Sequence, residues 1–72
     1  MRFKTARMSA SLTQVMAAMA LGVGRSTVAM WEAGRAVPRA DKLQAMARLY
    51  RCTVDELLEP DKPQFHPGSK RP

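Results

Sequence analysis

Between Gly22 and Gly34 the chain has room for one short helix and little else. The stretch reads GVGRSTVAMWEAG. Glycine tolerates the left-handed backbone that closes a helix. Gly22 therefore ends one helix, Gly24 serves as a modest N-cap for the next, and Gly34 ends that one. Two helices joined across so few residues must turn sharply against each other. The second, from about Arg25 to Glu32, has two unlike sides by the 3.6-residue repeat. Val28 and Trp31, with Val23 before them, point inward, while Arg25, Ser26, Ala29 and Met30 point outward.

The rest of the chain is also helical in pattern. Isoleucine is absent, and no stretch alternates long enough for a strand. Phe3, Ala6 and Arg7 share one side of a first short helix. Thr13 caps a second, running through Met19 or Ala20. Pro38 introduces a fourth, about Ala40 to Arg51, whose Leu43, Met46, Ala47 and Tyr50 follow the i, i+3, i+4, i+7 spacing. A fifth starts at Thr53, which forms a capping-box pattern with Glu56, and Pro60 stops it. The expected architecture is all-α: a compact five-helix domain over residues 1–59, then a flexible, Pro-rich, basic tail over 60–72.

Charge narrows the class of partner. The net charge is +6, and every acidic residue stands at Glu32 or later. Arg2, Lys4, Arg7 and Arg25 precede it without counter-charge, which suits a polyanion: DNA, RNA or an acidic membrane surface. No apolar run approaches the ~18–20 residues of a membrane span. The lone cysteine, Cys52, cannot form an intrachain disulfide or a CxxC metal site, and a reducing, intracellular setting fits best. His66 stands alone in the tail, and Asp55 and Glu56 lie where carboxylates favour a helix dipole. No catalytic group, metal site or cofactor is expected.

An outer helix side with little bulk and no acid can approach another surface closely, and the major groove of duplex DNA admits one helix. Arginine there donates two hydrogen bonds to guanine O6 and N7. Met30 and Ala29 can touch a thymine methyl, and Ser26 can reach a base edge or a phosphate. Periodicity alone favours an ordinary amphipathic helix whose solvent side includes one arginine. The tight join to the preceding helix favours the helix–turn–helix arrangement.

The run LTQVMAAMALGVGRSTVAMWEAGRAVP, followed by LQAMARLYRCTVDELL, resembles the lambda-repressor-like helix-turn-helix domains of the Cro/C1 or xenobiotic-response-element (XRE) type. The resemblance spans about Phe3 to Glu59. It rests on Thr13-Gln14, Gly22-Val23, Arg25-Ser26-Thr27, Trp31-Glu32, Gly34, Pro38 and the ending Val54-Asp55-Glu56-Leu57-Leu58. It implies a small transcriptional regulator, a repressor of phage, prophage or plasmid type, bacterial or phage-encoded and cytoplasmic. It implies double-stranded operator DNA as partner, bound as a homodimer. Base readout falls to Arg25, Ser26, Thr27, Ala29 and Met30, and phosphate contact to Gln14, Arg35 and Arg39. Arg7 and Glu32 fall where some members keep a partly buried ion pair.

Helix two departs from the family. Val15, Met16 and Met19 stand where polar residues are usual, and Ala17 where leucine is. Either the helix shifts so that a methionine fills the space beside Ala17, or Val15, Met16 and Met19 form an exposed patch for a protein partner. Repacking is the favoured expectation. The patch would make the chain an interaction module, an antirepressor or modulator that binds another regulator.

Overall fold

The computed structural model describes residues 1–60, which carry five helices and no strand. They are α1 (Phe3–Ser9), α2 (Gln14–Leu21), α3 (Arg25–Ala33), α4 (Ala40–Tyr50) and α5 (Val54–Leu58). The expected tail, with His66, Lys70 and Arg71, lies outside the described residues except for Pro60.

Four of the helices close by one device. Ser11, Gly22, Gly34 and Arg51 all adopt positive φ, and the amide after each reaches back to a carbonyl five residues earlier. Leu12 donates to Arg7 (3.2 Å), Val23 to Ala18 (3.0 Å), Arg35 to Met30 (2.9 Å) and Cys52 to Ala47 (2.9 Å). These bonds satisfy carbonyls that a helix end otherwise leaves free. Arg51 therefore follows α4, at φ 59°, rather than belonging to it. Threonine caps two helix starts. Thr13 Oγ1 accepts from Met16 N–H, and Thr53 and Glu56 complete a reciprocal capping box.

The core draws on every helix. Phe3 of α1, Val28 of α3, Met46 of α4 and Leu57 of α5 are the largest fully buried side chains. Ala17, Ala18 and Leu21 bring in α2. α1 packs on α3, α4 and α5, α2 packs on α3 and α4, and α4 packs on α5. Each large buried side chain removed from water contributes about 1.5–3 kcal/mol. The Arg2 amide donates to Leu57 O (2.9 Å), fastening the chain's start to its fifth helix.

The repacking expected of helix two does not occur. Ala17 is fully buried, and α2 turns Ala17, Ala18 and Leu21 inward. Val15, Met16 and Met19 are 49, 48 and 77% exposed. Two inward alanines let α2 lie close to α3 and α4, so the space that a methionine would fill is closed by helix approach instead.

Candidate nucleic-acid interface

The turn from Gly22 to Gly24 carries the chain from the end of α2 to the start of α3. Gly22 has φ 71°, and Gly24 is the extended N-cap of α3. Val28 and Trp31 are buried and anchor α3 from behind. On the other side Arg25, Ser26 and Met30 are exposed, while Thr27 and Ala29 are half-buried. The structure thus brings Arg25, Ser26 and Met30 to one accessible helix side, and gives Thr27 and Ala29 shorter reach. Arg35 and Arg39 are exposed on the segment between α3 and α4, where Arg39 occupies the N-cap position of α4 without a capping side-chain bond.

The heads of α2 and α3 meet. Arg25 Nη1 donates to Gln14 Oε1 (3.0 Å), and Gln14 Nε2 donates to Glu32 Oε1 (3.0 Å). Glu32 is held in turn by Arg7, through Nε to Oε2 (2.6 Å) and Nη2 to Oε1 (3.2 Å). Arg7 Nη1 donates to Leu12 O (2.7 Å), which ties the pair to the α1–α2 turn. The two charged side chains are only 9 and 5% exposed. A charge-assisted, two-pronged contact of this kind is the form that a buried ion pair needs. The Glu32 hydrogen bond holds the Arg7 guanidinium above its already high pKa. A shallow groove beside Arg25 is bordered by Thr13, Gln14 and Val15.

Tyr50 lies buried behind this pair, and its hydroxyl has no hydrogen-bond partner among the described residues. Burial, then the negative charge of Glu32, pushes the phenol up to about 12. Burial also raises the Cys52 thiol, helped by the nearby Glu56 carboxylate, which disfavours the nucleophilic thiolate. Among the described residues, no cluster of His, Cys, Asp and Glu could hold a metal, and no helix is long and apolar enough to cross a membrane.

One supporting residue escaped the sequence reading. Lys42 Nζ donates to Leu21 O (2.8 Å), so a cation of α4 satisfies the end of α2 and fixes the helix that carries Gln14. A lysine near a helix start normally reads as solvated, and no local pattern marks it otherwise.

A short helix set out by a sharp turn, anchored by an indole behind and led by a cation in front, defines a helix-turn-helix domain of the nucleic-acid-binding kind. The family model described as "Helix-turn-helix" matches residues 3–57. The HTH-type transcriptional activator BcrR of Enterococcus faecalis is 35% identical over 52 residues, which cover 72% of this chain and 26% of that protein. No solved structure matches the chain. The chain belongs to the helix-turn-helix family, in its Cro/C1 or XRE branch.

Proposed function

We propose that this domain binds duplex DNA sequence-specifically and regulates transcription, with α3 in the major groove. The observation that carries this reading is Arg25, exposed at the head of α3 and braced by Gln14, with Val28 and Trp31 buried behind it. Arg25 donates to a guanine edge, Ser26 and Thr27 serve a base or an adjoining phosphate, and Ala29 and Met30 meet a thymine methyl. Gln14, Arg35 and Arg39 contact the sugar-phosphate backbone. Two copies bind paired half-sites about one helical turn apart. Val37, 64% exposed between α3 and α4, and exposed Leu58 supply apolar contacts between the copies. Occupying a promoter excludes other proteins from the same duplex, and repression is the proposed mode. The Enterococcus relative carries the name of an activator, so the sign of regulation is read by reporter assay with the selected site placed upstream of, or across, a promoter.

The exposure of Val15, Met16 and Met19 favours a second reading, in which α2 docks another DNA-binding regulator. Duplex binding across several salt concentrations separates the two. A DNA reader loses affinity as salt rises. A modulator captures its protein partner and shows no salt-dependent duplex binding. Selection of bound oligonucleotides from a random pool then supplies the operator.

A further inference from the structure

A buried acid on the helix proposed to enter the groove needs a reason, because a carboxylate near phosphates repels them. Glu32 uses both oxygens: Oε2 accepts from Arg7 Nε, and Oε1 accepts from Arg7 Nη2 and Gln14 Nε2. A carboxylate only accepts, whereas a glutamine amide has one donating and one accepting end. Gln14 must therefore turn its NH₂ toward Glu32, which leaves its carbonyl facing Arg25. Guanidinium only donates, so this is the one amide orientation that Arg25 can use. A flipped amide would set acceptor against acceptor at Glu32 and donor against donor at Arg25.

We infer that Glu32 is a positioning residue for base readout: through the orientation it imposes on Gln14, it sets the Arg25 guanidinium before DNA arrives. Arg7 neutralises the Glu32 charge and, through Leu12 O, anchors the relay to the backbone. The relay begins at the half-buried Leu12 carbonyl and ends at an exposed cation. A reading group held in place before binding loses less conformational freedom on contact. This inference rests on the proposed DNA-binding function, with Arg25 as the reading group.

Two variants test it. Glu32→Gln keeps the shape but gives position 32 a donor as well as an acceptor, so the Gln14 amide is free to flip. Gln14→Met keeps the Arg7–Glu32 pair and removes the relay, and it serves where Glu32→Gln fails to fold. Nitrogen-15 spectra of the free protein report whether the Arg25 guanidinium rotates freely. Titrations with the selected duplex, and with one altered at the base pair read by Arg25, give a discrimination ratio from which any uniform loss of affinity cancels. The expected result is restricted rotation in the wild type, lost in both variants. Discrimination at that base pair falls about three- to tenfold, in the range of coupling between residues that share a hydrogen-bond network. The salt slope stays unchanged, because no phosphate-contacting cation is lost. Intact discrimination in folded Gln14→Met, or free Arg25 rotation in the wild type, would overturn this inference alone. Absence of duplex binding by the wild type would overturn it together with the function on which it rests.

Discussion

Arg7 Nε lies 2.6 Å from Glu32 Oε2, although the two residues stand 25 positions apart in the chain. The contact joins α1 to α3 beneath the proposed reading surface, and it is the interior end of the relay that reaches Arg25.

Removing one partner strands the other. Arg7→Met leaves the Glu32 carboxylate buried, with the Gln14 amide as its remaining side-chain donor among the described residues. The expected loss is about 3–5 kcal/mol. Urea unfolding measures it, and the double variant Arg7→Met/Glu32→Leu should recover a large share, because no isolated charge remains. A loss below about 1 kcal/mol in the single variant would place the pair among exposed contacts of little energetic weight.

Tyr50 gives the fold an alkaline limit. Its phenol is pushed up to about 12 in the folded protein, chiefly by burial, against an ordinary value near 10. The folded state therefore holds the phenol's proton more tightly than the unfolded chain does. The stability this contributes is complete below pH ~10 and is lost as pH rises from ~10 to ~12, by about 2–3 kcal/mol in all. Tyr50→Phe should remove that loss. At neutral pH it should be nearly neutral or slightly stabilising, since the hydroxyl that it deletes has no partner among the described residues. Melting temperatures at pH 7 and pH 11 for both proteins check this.

The positive-φ helix ends predict substitutions of opposite sign. An alanine Cβ at Gly22 would meet no atom within 4 Å, so Gly22→Ala costs only backbone strain, about 1–2 kcal/mol. Arg51 holds φ 59° with a side chain in place. Arg51→Gly relieves that strain at the expense of a more flexible unfolded chain, for a net gain of about 0.5–1 kcal/mol. Thermal unfolding of the two variants should bracket the wild type. Both falling on the same side would contradict the assignment of strain.

What the sequence discloses depends on whether a feature is local. Gly22 and Gly34 announce the ends of α2 and α3 because glycine is the residue that left-handed backbone favours. Ser11 and Arg51 adopt the same conformation without any such signal, so the sequence reading places Arg51 inside α4. Val28 and Trp31 are legible as the buried side of α3 from their spacing alone. The Lys42 bond to Leu21 O and the bond between Gln14 and Glu32 join separate elements, and no local repeat encodes them. The exposure of Val15, Met16 and Met19 is misread for the same reason. Their burial depends on how closely α2 approaches its neighbours, which Ala17 and Ala18 set only once the helices pack.

Duplex-DNA titration across a series of salt concentrations, with the wild type, Arg25→Ala and Arg35→Ala, tests the central claim most directly. The wild type should bind with a log affinity that falls linearly with log salt, by about 0.9 for each phosphate neutralised. Arg35→Ala should weaken every sequence alike and make that slope shallower by about 1. Arg25→Ala should instead lose about 1–3 kcal/mol of discrimination at one base pair. Salt-insensitive or absent binding, or two variants that behave alike, would contradict α3 as a helix that reads bases while Arg35 grips the backbone.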